Sequence, residues 1–173
     1  LELQPGEFRW AYLRAVVLDL QGAELTVVRG AFETAFALND RFPPGFFRYG
    51  DALVRQGEVQ DARSAFEKAV ELDPDFSRAR RSLGQVLQRL GDHRAALEHL
   101  RRALELHPED ATVHLNLAQA YQALGEKERA DTFLERSKTL ERDLSLPDPL
   151  RYEVERKSLI PSACQARVQE SLA

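Results

Sequence analysis

Four histidines, His93, His99, His107 and His114, are the first places to look for chemistry in this chain. A His-Glu-x-x-His stretch would put two metal ligands and a base on one helical face, and none is present. The stretch "GDHRAALEH" brings Asp92, His93 and His99 close together, but Asp92 stands where a helical pattern starts. A capping role is what that position favours, with Glu58 and Glu126 in the matching places 34 residues before and after it. Cys164 is the single cysteine, so it has no partner for an internal disulfide and no second thiol to share a zinc. Its loop or short-helix context gives no reason to read a catalytic thiol. No glycine-rich phosphate loop, no Gly-x-Ser-x-Gly elbow and no Cys-x-x-Cys-His haem site occurs. The reading is a chain that is not an enzyme and takes no cofactor or metal.

The other chemistry on offer is that of guanidinium groups. Of 24 basic residues only Lys68, Lys127, Lys138 and Lys157 are lysine. The rest are planar, multi-donor arginines suited to carboxylates, although a genomic base bias toward arginine, and a bacterial source, explains the count equally well. The net charge of −4 speaks against a general nucleic-acid binder. No run approaches the roughly 20 apolar residues that span a bilayer, and "LELQPGEFRW" has no signal-peptide character. The expectation is a soluble protein, cytoplasmic or periplasmic.

What could position these arginines is written twice over. "AFETAFALNDRF" at 31–42 returns as "AFEKAVELDPDF" at 65–76. At the same 34-residue period come Gly57, Gly91 and Gly125; Ala62, Ala96 and Ala130; Phe66, Leu100 and Leu134; Ala69, Ala103 and Ser137; and Pro74 with Pro108. A fixed period with fixed chemistry marks a stacked repeat. Apolar residues fall at helical spacing in Phe46, Tyr49, Gly50 and Leu53, then in Ala62, Ala65, Phe66 and Ala69, with Gly57 between the runs. Each unit is therefore expected to be a helical hairpin, its glycine left-handed at the turn. Asp73 is expected to cap the next helix, with Pro74 in its first turn. Gly50, Gly84 and Ala118 on the first helix, and Ala62, Ala96 and Ala130 on the second, are the small residues that let the helix axes approach.

"FFRYGDAL…GEVQDARSAFEKAVELDP", "RRSLGQVL…GDHRAALEHLRRALELHP" and "HLNLAQAY…GEKERADTFLERSKTLER" resemble tetratricopeptide repeats, in which a large–x2–Leu–Gly–x2–Tyr frame precedes Ala–x3–Phe and Pro. Phe46, Arg80 and His114 replace the leading tryptophan of that pattern, Ala118 stands for a glycine, and Arg142 for the closing proline. The resemblance implies an all-α, right-handed superhelical solenoid of antiparallel helix pairs. Repeats are expected at 43–76, 77–110 and 111–144, after a degenerate copy at 1–42 that opens on the tail of an earlier unit at 1–5. Gly22 lies one residue out of phase with the later glycines. Residues 145–173, punctuated by Pro147, Pro149 and Pro161, are expected to form a C-terminal capping helical segment that covers the last hairpin with Leu146, Leu150 and Val154.

The resemblance also implies that the first helix of each pair lines a concave groove. Removing the expected core residues leaves Phe47, Arg48, Asp51 and Arg55 from the first clear unit. The second contributes Arg78, Arg81, Ser82, Gln85, Gln88 and Arg89, and the third Leu115, Asn116, Gln119 and Gln122. Five arginines against one acid would suit an acidic or extended peptide segment of a partner protein, with amides on its backbone and Phe47 as an apolar anchor. Relatives that grip a C-terminal carboxylate use a fixed lysine, asparagine and arginine set. Here the matching places hold Phe47, Asp51, Ser82, Thr112 and Asn116, so that mode is not expected. The alternatives are self-assembly through the solenoid ends, with a homo-oligomer formed through the C-terminal segment, and single-stranded RNA binding, which lacks a repeated base-reading pair of side chains.

Overall fold

The computed structural model describes residues 5–140. Among the described residues there are eight helices and no strand: α1 (Pro5–Leu20), α2 (Leu25–Leu38), α3 (Pro43–Gln56), α4 (Val59–Leu72), α5 (Ser77–Arg89), α6 (His93–Leu106), α7 (Ala111–Ala123) and α8 (Lys127–Thr139). Each odd-numbered helix packs along the even-numbered one that follows, and the pairs stack into an α-α solenoid.

Glycine makes the turn within each pair. Gly57, Gly91 and Gly125 have φ of 86°, 83° and 80°, the left-handed region where a Cβ is strained. The residue after each donates its amide five residues back, as Glu58 N does to Leu53 O at 2.9 Å, which closes the carbonyl end of the first helix. Gly22 (φ 71°) builds the same turn, with Ala23 N on Leu18 O at 3.0 Å. The first pair is therefore the same hairpin as the others, despite its one-residue shift in phase.

Between pairs, the loop departs from expectation. Asp73 does not cap α5; it ends α4, and its Oδ1 accepts the Asp75 amide at 3.1 Å while Phe76 N bonds Asp73 O at 3.1 Å. This local turn satisfies its own backbone groups, so α5 starts only at Ser77, behind Phe76. Asp110 is the residue that caps, taking the amides of Thr112 (2.9 Å) and Val113 (3.2 Å) at the start of α7. Asp92 likewise caps α6 through Ala95 N at 3.0 Å. Glu58 and Glu126 stand in the same place without a cap bond. Glu126 pairs with Arg129 at 2.6 Å instead.

Close approach explains the small residues. A Cβ built on Gly50 would lie 2.6 Å from the Phe66 ring, and one on Gly84 2.6 Å from Leu100 Cγ. Phe66 and Leu100 are themselves fully buried, next to Ala62 and Ala96. Phe46 and Tyr49, expected in the core, are half-buried. They join the pairs: Phe36 of α2 stacks on Phe46 of α3 at 4.1 Å, and Phe32 meets Tyr49 at 5.2 Å. Arg80 and His114, in the place of Phe46, reach back to the preceding loop, Arg80 Nε to Pro74 O at 2.5 Å and His114 Nε2 to Pro108 O at 2.8 Å.

The odd-numbered helices also touch one another, α1 with α3 and α5 with α7. These contacts place them on the inner side of the stack. The expected cap at 145–173, with Leu146, Leu150 and Val154, the cysteine Cys164 and the first four residues lie outside the described residues.

Candidate functional site

The inner face differs from the sequence-based picture first at α3. Phe47 is only 7% exposed, because Phe76 of the next loop leans over it at 5.2 Å and Phe66 lies behind at 5.9 Å. It is part of the core and no anchor for a ligand as it stands. Arg48, also expected in the groove, is 7% exposed as well. It stands beside the half-buried carboxyl of Asp51, together with Arg55 and Arg78. Burial pushes the Asp51 carboxyl up to about 6, against the pull of these three arginines, with the charge of Asp19 adding to the rise. Arg55 is exposed but not idle, since its Nη2 donates to Asp19 at the end of α1.

On α5, Arg81 is tied down. Its Nη1 donates to Asp110 Oδ2 at 2.5 Å, and the two side chains are 17% and 6% exposed. Asp110 thus caps α7 with one oxygen and holds α5 with the other. Gln88 donates to the backbone oxygen of Asn116 at 2.9 Å, a second link between α5 and α7. Arg78, Ser82 and Gln85 are half-buried. Arg89, in the last turn, is exposed, and among the described residues no carboxylate reaches it. On α7, Leu115 is half-buried and Asn116 buried, its amide nitrogen without an acceptor among the described residues. Gln119 and Gln122 face solvent.

Three carboxylates, Asp19, Asp51 and Asp110, therefore stand beside four of the five arginines, Arg48, Arg55, Arg78 and Arg81. Asp51 was visible on its helix. Asp19 and Asp110 were missed, because one ends α1 and the other begins α7, and neither lies on the face of a helix that a periodicity argument reads. Asp110 could have been found as the cap residue of α7; Asp19 becomes visible once Gly22 is aligned with Gly57, and the position it would hold in the next unit is Val54.

Two residues before each left-handed glycine, the same alignment picks out a row of last-turn positions: Leu20, Arg55, Arg89 and Ala123. Leu20 is 60% exposed. Burial lowers the pKa of His99, with nearby Arg80 acting in the same direction. Among the described residues no cluster of His, Cys, Asp or Glu could hold a metal ion, and no helix is long and apolar enough to cross a membrane.

Two family descriptions, both tetratricopeptide repeat, match the chain, one over residues 46–109 and the other over 87–143. No curated protein matches it. Among solved structures, "Crystal structure of MamA" is similar with a TM-score of 0.61 and 20% identity, over 64% of this chain. The chain spans 65% of the length of that structure. "MamA RS-1 ArsTM double mutant" aligns with a TM-score of 0.69 at 18% identity, covering 86% of this chain and 75% of its own. The pilF protein of Pseudomonas aeruginosa gives 0.67 at 20% identity, over 94% of this chain and 73% of its own. Identities this low carry the helical-repeat fold and nothing about ligands.

Proposed function

Because the chain belongs to the tetratricopeptide repeat family, we propose that it works as a protein–protein interaction scaffold whose inner groove takes an extended segment of a partner protein. The observation that carries this reading is that odd-numbered helices meet one another across the stack, α1 with α3 and α5 with α7, on one side of it. Much of its charge is matched from within, and of its glutamines Gln119 and Gln122 are exposed and Gln85 half-buried. Amides donate and accept at once, which suits the alternating N–H and C=O groups of an extended backbone. The repeat units would be 43–76, 77–110 and 111–144, behind a degenerate unit at 1–42. Arg81 supports this surface by fixing α7 to α5.

The reading is tested by filling the groove from exposed positions. Gln119→Trp with Gln122→Trp leaves the core untouched and should abolish affinity capture of a partner from the source cell extract, while the helical content stays constant by circular dichroism. Equal capture by wild type and variant would remove the groove from the hypothesis.

A further inference from the structure

Resting on the groove reading above, we propose that the groove selects one acidic side chain, held at Arg89, together with one large apolar side chain some six residues away at Leu20, and does not select an acidic run. The argument starts from charge. Of the five inner-face arginines, Arg55 is taken by Asp19 and Arg81 by Asp110, while Arg48 and Arg78 stand around Asp51. A row of carboxylates arriving on this surface would have to displace the chain's own acids, two of which are nearly buried: the side chain of Asp19 is 9% exposed and that of Asp110 6%. Breaking such pairs costs more than an exposed new pair returns. Arg89 is different: it is exposed, no described carboxylate reaches it, and the position that would supply one by analogy with Asp19 is the apolar Val54. A single incoming carboxylate can be gripped there by the guanidinium fork without displacing anything.

Register supplies the second half. Leu20, Arg55, Arg89 and Ala123 hold the same last-turn position in α1, α3, α5 and α7. Arg55 reaches Asp19, one residue before Leu20, so the last turns of α1 and α3 are neighbours. Leu20 is one of three large hydrophobics exposed among the described residues, and the one in this row. Adjacent helix axes lie about 10 Å apart, which separates Leu20 from Arg89 by about 20 Å across α3. An extended chain advances about 3.3 Å per residue, so roughly six residues bridge the two. Arg55, already paired between them, asks nothing charged of the ligand.

Selection from a library of random twelve-residue peptides displayed on phage, with the full chain as bait, tests the pattern. The enriched peptides should share one Asp or Glu and one large apolar residue about six positions apart. Arg89→Glu should exchange the acid for Lys or Arg at that position alone, and Leu20→Glu should erase the apolar preference alone. Both residues are exposed, so unchanged circular dichroism is expected of each variant. Enrichment of acidic runs, or an acid preference indifferent to Arg89→Glu, would overturn this inference and leave the groove reading standing. No enrichment of any peptide would overturn both.

Discussion

Arg81 of α5 and Asp110 at the start of α7 hold each other in the place where Phe47 meets Phe76 one unit earlier and Tyr12 meets Phe42 in the first unit. The spacing is 29 residues in the first two cases and 30 in the third, as the phase shift of the first unit requires. The stack thus uses one contact three times, from an odd-numbered helix to the residue before the next odd-numbered helix. Twice it is a pair of aromatic rings and once an ion pair. Whichever pair fills it, the contact sets how the next unit leans on the last.

That equivalence gives a stability prediction. Arg81→Ala strands a nearly buried carboxylate and should cost about 3 kcal/mol, and Asp110→Ala a similar amount through the lost pair and lost cap. Replacing both residues by phenylalanine copies the earlier units and should stay within about 2 kcal/mol of wild type. Urea denaturation measures all three. A double variant as unstable as the sum of the single losses would show that the rings cannot replace the ions here.

Asp51 predicts a pH dependence of stability. Its carboxyl titrates at about 6 in the folded chain and near 4 when unfolded, so between those values the folded state holds a proton that the unfolded state has lost. Stability from this group therefore falls as pH rises through that window and is lowest above it. Asp51→Asn should be more stable than wild type by about 1–3 kcal/mol near pH 7.5, should match it near pH 4, and should lose the slope between. A variant less stable than wild type near neutrality would mean that Arg48, Arg55 and Arg78 outweigh the burial of the carboxylate.

Two glycines should respond oppositely to alanine. At Gly84 the added methyl meets Leu100, which has no room to swing, so a loss of about 1–3 kcal/mol is expected despite the gain in helix propensity. At Gly30, inside α2, nothing lies within 4 Å of the new Cβ, and a gain of about 0.5–1 kcal/mol is expected. Thermal unfolding followed by circular dichroism separates them; two changes of the same sign would refute the packing argument.

Tyr121 should matter through its hydroxyl as well as its ring. Arg101 donates to that oxygen from Nη2 at 2.7 Å and Nε at 3.2 Å, while the ring stacks on Phe133 with centroids 5.5 Å apart. Tyr121→Phe keeps the stack and removes the acceptor, for an expected cost of about 1 kcal/mol in urea denaturation. Tyr121→Ala should cost about 3–5 kcal/mol by also opening a cavity between α7 and α8.

Much of the fold could be read from the residues, and the reasons are local. A glycine two residues after the last polar turn of a helix, or an alanine that recurs on one helical face, is dictated by backbone geometry and by the distance between neighbouring helices. Both act over a few residues and repeat in each unit. The turns at Gly57, Gly91 and Gly125 and the close approach at Gly50 and Gly84 follow from that pattern, and so does the assignment of an α-α solenoid. The groove was less legible. Phe47 and Arg48 have the right helical position to face it, yet both are buried, because Phe76 folds in from the next loop and because Asp51 and its neighbours gather the arginine into the wall.

The amino-acid order by itself determined that this chain would be a pile of helical hairpins, since period, turn residues and small buried side chains are all properties of one unit and its copy. Only the tertiary structure decided the electrostatics of the inner face. The pairs that neutralise it join residues 29 and 36 positions apart, Arg81 with Asp110 and Arg55 with Asp19. Which acid reaches which arginine depends on how far each unit rotates on the one before, and that rotation is set by the packing of whole helices. No periodicity in a single helix contains it.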